Sequence, residues 1–164
     1  MTEHIQITDM YIEYLESELG TIEISATGNG IASVYFIDQK QLNTTSNQYT
    51  NQCKQQLQEY LNGERQQFDI CLDQQTGTDF QRQVWQALLT IPFGQIASYT
   101  DIAKQINRPK AVRAVGAANG KNPTSIIVPC HRIIGSNGTL TGYAGGIARK
   151  QWLLQHESNV MFKV

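Results

Sequence analysis

Cys130 stands between Pro129 and His131 in "IIVPCHRIIGSNG", residues 126–138, and is one of three cysteines in 164 residues. A thiol attacks only as thiolate, and a free cysteine, with a pKa of about 8.5, is mostly protonated at neutral pH. To act as a nucleophile it needs an adjacent base or a positive field. His131 supplies a candidate base. Side chains of consecutive residues in an extended segment point to opposite sides, so the imidazole is expected to reach the thiol through a bridging water. A cysteine at the end of the apolar run Ile126, Ile127, Val128 also fits a buried, inert side chain. The cysteines and histidines show no ligand-type spacing, so no metal is expected. Three cysteines without a CxxC pair point to a reduced, cytoplasmic protein rather than a disulfide scaffold.

The elements that must position this pair can be read from the flanking sequence. "QQTGTDFQRQVW" opens a helix, with Thr78 and Gln81 in capping-box spacing and Phe80, Val84, Trp85, Leu88 and Leu89 along one face. "SYTDIAKQINRPKAVRAVGAANGKN" predicts two short helices, about 100–106 and 110–119, joined at "NRP". Pro109 suits the start of the second and Gly120 its stop. That helix carries Lys110, Arg113, Ala114, Gly116 and Ala117. Its small residues allow the backbone a close approach to whatever it faces. Ala and Gly more often mark a core helix, but a core helix leaves Arg113 without a reason.

Upstream, "YIEYL" (11–15), "TIEISAT" (21–27) and "IASVYFID" (31–38) alternate in part and are separated by "ESELG" and "GNG". They predict a three-stranded antiparallel meander. Cys53, Leu57, Tyr60 and Leu61 recur at helical spacing, Gly63 is a natural stop, and a short strand is expected around Phe68–Leu72. The chain is therefore expected to be α+β, in two domains of residues 1–77 and 78–164.

Charge divides the same way. Residues 1–79 carry three basic and twelve acidic side chains, a balance of −9, whereas residues 80–164 carry ten basic and two acidic, a balance of +8. A basic half of this kind points to a polyanion partner, although a solvated charged face would look similar. No run of about 18 apolar residues is present, so no membrane span is expected. The opening "MTEHIQITDMYIEYLESELG" lacks the basic and apolar regions of a secretory signal.

Several motifs now agree in order and spacing. Asn122-Pro123 precedes Pro129-Cys130-His131-Arg132, Tyr143-Ala144-Gly145-Gly146 follows, and Leu153, Leu154 and Glu157 close the pattern. With "SYTDIA…AVRAVGAA", this stretch resembles the O6-alkylguanine-DNA alkyltransferases, also called methylated-DNA–protein-cysteine methyltransferases. The resemblance is strong over residues 78–157 and rests on element order over 1–77. It implies a ribonuclease-H-like N-terminal domain with an antiparallel sheet and helix. A winged-helix-like domain with the helix-turn-helix follows.

What the resemblance implies is a suicide repair protein that needs no cofactor and acts as a monomer on double-stranded DNA containing O6-alkylguanine. O4-methylthymine is a further candidate substrate. Cys130 would take the alkyl group and His131 the thiol proton through water, with Glu157 orienting His131. Tyr99 would donate to the guanine leaving group and also contact DNA. Arg113 would fill the gap left by the flipped base, and Lys110, Ala114, Gly116 and Ala117 would lie along the DNA. Asn122 would brace the Cys130 loop. Val128, Pro129, Tyr143, Ala144 and Gly145 would line the guanine pocket. Two departures stand out. Ala144 replaces the serine that some relatives place after the pocket tyrosine, and the zinc set of some relatives is missing. No separate phosphotriester-repair domain is expected. A non-catalytic alkylated-DNA sensor and a cysteine hydrolase are the competing classes.

Overall fold

A computed structural model describes residues 10–74 and 76–162. Residues 1–9, Gln75 and residues 163–164 lie outside them, and with them the start of the stretch read for a secretory signal. The chain divides into two compact units, with the boundary between residues 75 and 76.

In the first unit, β1 (Tyr11–Ser17), β2 (Gly20–Thr27) and β3 (Gly30–Ile37) form an antiparallel meander in that order. Ser17 pairs with Gly20 and Thr27 with Gly30, so each connection is a two-residue hairpin loop. Leu15, Ile22, Ile24, Ala26, Ile31 and Val34 are buried. Helix α1 (Gln48–Leu61) packs against the strands through Thr50, Cys53, Gln56, Leu57 and Tyr60. Leu61, expected on that face, is only half-buried. The helix starts at a reciprocal cap: the Asn47 side chain accepts from Thr50 N at 3.0 Å, and Thr50 Oγ1 accepts from Asn47 N at 2.9 Å.

The strand expected at Phe68–Leu72 is not formed. One bridge, Ile31 to Leu72, replaces it. The buried Gln56 side chain takes both backbone groups of Asp69, donating to its oxygen at 3.2 Å and accepting from its nitrogen at 2.9 Å. That leaves only the end of the segment to pair with β3.

In the second unit, Thr78 and Gln81 form the expected capping box at the start of α2 (Asp79–Leu88). Val84, Trp85, Ala87 and Leu88 are buried, whereas Leu89 is the cap residue and is 46% exposed. The short strand β4 (Ala97–Ser98) leads into α3 (Tyr99–Gln105), capped by Ser98 and Asp101. Helix α4 runs over Val112–Gly120. It begins two residues later than expected, so Pro109 and Lys110 lie in the turn. The cause is the end of α3: Asn107 adopts φ 62° and Arg108 N donates back to Ala103 O at 2.8 Å. This left-handed stop occupies the joint. Gly120 is the last helical residue rather than the residue beyond it.

A 3₁₀ turn (Cys130–Arg132) then feeds β5 (Ile133–Ile134), which pairs with β4 in parallel, and α5 (Ile147–Met161) closes the unit. Trp85 Nε1 donates to Ala118 O at 2.8 Å, tying α2 to the last turn of α4. Among the described residues, no helix is long and apolar enough to cross a membrane.

Gly30 shows how tightly β3 meets the Cys71 segment. Its φ is +156°, and a Cβ there would lie 2.7 Å from Cys71 O. Gly30→Ala is expected to destabilise the first unit by about 1–3 kcal/mol, read from its urea unfolding midpoint. An unchanged midpoint would show that the segment yields freely.

Candidate active site

The approach to Cys130 is a buried loop, not the strand that its apolar residues suggest. Ile126 adopts φ 73°, rare for a β-branched residue, and Ile127 N donates to Ser125 O at 2.8 Å across it. A second tight turn at Pro129 follows, with Cys130 N donating to Val128 O at 2.8 Å. Asn122 holds these turns together. Its Nδ2 donates to Val128 O at 2.8 Å, and its Oδ1 accepts from Thr124 N at 3.0 Å. Asn122 is only 2% exposed, so this amide replaces the backbone partners that a strand would have supplied.

Cys130 is itself only 2% exposed. Burial pushes its thiol up to about 11, while the Asn122 side chain and the Lys150 ammonium pull the other way. The resting group is therefore a protonated thiol, and it needs help to ionise.

His131 and Glu157 are brought together across 26 residues. Glu157 Oε2 meets His131 Nε2 at 2.7 Å in a buried hydrogen bond. Arg132 grips the same carboxylate with two donors, Nε to Oε1 and Nη2 to Oε2, both at 2.9 Å. Its third donor, Nη1, reaches Ile91 O at 2.7 Å. Gly94 N adds a bond to Oε1 at 3.1 Å. Burial alone would raise the Glu157 carboxyl, but the hydrogen bonds and charges of His131 and Arg132 outweigh it and hold it far below the usual carboxylate range. His131 moves down, chiefly through its complete burial, and is neutral. A neutral imidazole beside a carboxylate donates through Nε2, which leaves the lone pair on Nδ1. That Nδ1 is buried without a hydrogen-bond partner among the described residues.

The rest of the surroundings come from three elements. Asn119, on the inner side of α4, donates from Nδ2 to Cys130 O at 3.3 Å. Tyr99, at the start of α3, donates its hydroxyl to Thr141 O at 3.0 Å. Gly142 permits that approach: at φ +70°, a Cβ there would lie 2.9 Å from the Tyr99 hydroxyl. Tyr143 is buried, and burial followed by the Cys130 charge raises its hydroxyl well above its ordinary value. Ala144 is exposed and Gly145 half-exposed on the same loop.

The outer side of α4 is separate from this buried cluster. Arg113, Ala114 and Ala117 are exposed and Gly116 is partly so, whereas Val115, Ala118 and Asn119 face inward. Lys110 is exposed in the turn before the helix. Among the described residues, no group of three or more His, Cys, Asp or Glu side chains is arranged to hold a metal ion.

Three contributors escaped the sequence. Arg132 is visible there only as part of a motif, Asn119 only as one polar residue in a small-residue helix, and Lys150 not at all. A signal for Lys150 exists: with Leu153 and Glu157 it makes up the buried face of α5, so two charges lie on the inner stripe of a helix. The +8 of the second half also counts Arg132 and Lys150, both buried, and so overstates the surface charge.

Comparison with known proteins comes from both units. Residues 10–74 match the 6-O-methylguanine DNA methyltransferase ribonuclease-like domain, and residues 79–159 match the DNA binding domain of the same family. A methylated-DNA–protein-cysteine methyltransferase of Methanosarcina barkeri is 41% identical over 92% of this chain and 98% of its own length. One from Shigella flexneri is 56% identical over 64% of this chain, a match spanning 61% of that relative. The crystal structure of Mycobacterium tuberculosis O6-methylguanine methyltransferase superposes with a TM-score of 0.83 at 43% identity, covering 92% of this chain and 94% of that one. The same M. tuberculosis protein in complex with DNA gives a TM-score of 0.82, with the same identity and coverage.

The Glu157 cluster makes the second unit acid-sensitive. Once unfolded, His131 takes up a proton near ~6.5 and Glu157 near ~4.3. Folding lowers both values, so the unfolded chain binds more protons and stability is lost as the pH falls, through His131 first and then Glu157. The melting temperature is expected to decline below pH ~6.5 and more steeply below ~4.3. Glu157→Gln, which strands the buried Arg132 charge, should cost about 3–5 kcal/mol at pH 7 and flatten the lower part of the decline. A wild-type melting temperature constant from pH 7 to 4 would contradict this account.

Proposed function

The chain belongs to the O6-methylguanine DNA methyltransferase family, and from that membership we propose that it repairs alkylated DNA by moving the alkyl group of O6-alkylguanine to its own Cys130. The observation that carries this is the buried His131 held to Glu157 at 2.7 Å with Nδ1 left as a free acceptor. Such an imidazole is ready to take the thiol proton through a water. The thiolate sulfur then attacks the alkyl carbon, an S–C bond forms and the C–O6 bond breaks. The electron pair leaves with the guanine, where charge develops. Tyr99 donates to that leaving group, giving up its bond to Thr141 O. The thioether is stable and the thiol is not regenerated, so each molecule acts once.

The protein acts as a monomer on double-stranded DNA, and O4-methylthymine is a second possible lesion. The guanine lies in a pocket lined by Val128, Pro129, Tyr143, Ala144 and Gly145. With alanine at 144, the loop offers only backbone donors there. Lys110, Ala114, Gly116 and Ala117 meet the DNA, and Arg113 enters the stack where the base has left. The exposure of Arg113 on the small-residue side of α4 supports that role. Asn122 braces the loop that presents the thiol. Cys53, Cys71 and Cys130 are free thiols, which fits the reducing cytoplasm.

Cys130→Ala is expected to abolish methyl transfer while leaving binding to methylated duplex within about threefold, since only one small side chain changes. Mass spectrometry after incubation with methylated DNA decides between activities. Repair leaves one methyl permanently on Cys130, a sensor leaves no covalent change, and a hydrolase releases product with the thiol restored. Transfer surviving in Cys130→Ala would remove the assignment.

Arg113→Ala should reduce repair of a paired O6-methylguanine far more than repair of an unpaired lesion, because an unpaired base costs less to extrude. Lys110→Ala should weaken binding to all DNA alike and lower the log–log salt slope by about one. Equal losses on paired and unpaired lesions for Arg113→Ala would reduce it to an ordinary phosphate contact.

A further inference from the structure

Helix α5 begins without the groups that ordinarily stabilise a helix start. Its N-cap, Gly146 at φ +94°, supplies no side-chain cap, and no acid lies in the first turn. Arg149 and Lys150 stand near that end instead, where cations oppose the helix dipole. Both reach back to the loop before the helix. Arg149 Nη1 donates to Gly145 O at 3.2 Å, and Lys150 Nζ donates to Thr141 O at 2.7 Å. The stretch between those two carbonyls carries Tyr143 and Ala144.

Two left-handed glycines, Gly142 at φ +70° and Gly146 at φ +94°, bracket this stretch. Gly146 N donates to Tyr143 O at 2.9 Å and closes a tight turn. The two ends are fastened unequally. Thr141 O accepts from both Lys150 and Tyr99, whereas Gly145 O accepts from Arg149. Burial of the Tyr143 ring holds the turn from within, while Ala144 is exposed and adds only a methyl group.

We propose that Arg149 is a positioning residue for the base pocket: its guanidinium latches the Tyr143–Gly146 turn to α5 through the Gly145 carbonyl. This rests on the reading of the loop as the guanine pocket. With Ala144 there, recognition falls to backbone donors, which bind a base edge well only when the turn that carries them is held in one place. Glycine at both ends gives the backbone other conformations at little cost. A hydrogen bond from a charged donor at the Gly145 end selects one of them. The latch acts when the Thr141 end is loosened, as Tyr99 leaves that carbonyl for the departing guanine.

Binding is measured in the full-length protein carrying Cys130→Ala, so that no methyl group is transferred. Adding Arg149→Met, which keeps an apolar stem and removes the donors, is expected to reduce the preference for O6-methylguanine duplex over unmodified duplex about tenfold, as for one charged hydrogen bond lost. Affinity for unmodified duplex and its salt dependence should not change, because the proposed DNA contacts lie on α4 and the turn before it. Arg149→Lys, which keeps a cationic donor, should recover most of the preference. An unchanged preference in Arg149→Met would overturn the latch. So would equal weakening on both duplexes with a salt slope lower by about one, which would make Arg149 a phosphate contact.

Hydrogen exchange followed by NMR reads the turn without DNA. In Arg149→Met the Gly146 amide should exchange at least about tenfold faster, while α5 amides from Leu153 onward keep their rates. Equal Gly146 rates in wild type and variant would overturn the proposal. Should Arg149→Met fail to fold, Arg149→Gln takes its place in both measurements with the same expectations. A Cys130→Ala protein that does not distinguish the two duplexes, with the exchange difference intact, would leave the latch standing and remove the alkylguanine reading.

Discussion

One carboxylate organises the second unit. Glu157 accepts from His131, from two nitrogens of Arg132 and from the backbone of Gly94. No single one of these bonds would sustain a charge that is 1% exposed, but the bidentate guanidinium compensates it and the others satisfy the remaining lone pairs. The consequence is mechanical as well as electrostatic. Helix α5, the 3₁₀ turn and the segment around Ile91–Gly94 are pinned at one point. The imidazole is fixed in ring orientation and tautomer, with its free nitrogen facing away from the carboxylate.

The Cys130 loop works against its own conformational preferences. Ile126 with positive φ costs on the order of 1–3 kcal/mol. It persists because Asn122 bonds the loop on both sides and because Ile126, Ile127 and Val128 are buried. Burying the apolar run therefore stabilises the turn that presents the thiol. The same burial raises the thiol and keeps it protonated at rest. Cys71, by contrast, is exposed in the first unit. Cys130 is thus set apart from Cys71 by its neighbouring groups and not by accessibility.

Helix α4 serves two sides at once. Outward it presents Arg113, Ala114 and Ala117, with little side-chain bulk between backbone and solvent. Inward, Asn119 bonds the Cys130 carbonyl and Ala118 O accepts from Trp85. The exposed small-residue side and the backbone of Cys130 are therefore separated by the thickness of one short helix. At Gly116 an added Cβ would make only ordinary contact, 3.7 Å from the Tyr99 ring.

Local chemistry made much of this visible in the sequence. Turn residues and alternation located the meander, the Thr78–Gln81 spacing marked the start of α2, and Cys130 beside His131 marked the candidate site. Those features depend on neighbours within a few residues, so periodicity and spacing expose them. Other features depend on partners far along the chain. The Phe68–Leu72 segment has strand composition, but Gln56 takes its backbone groups. Pro109 looks like a helix start, but the left-handed turn at Asn107 delays α4 to Val112. Arg132, 25 residues from Glu157, meets that carboxylate only when α5 folds back onto the 3₁₀ turn. The sequence by itself determined which residue types were available and which local elements they form. The tertiary structure alone decided which charges are removed from water and against what, because the energy of a buried charge is set by partners that only folding brings within a few ångströms.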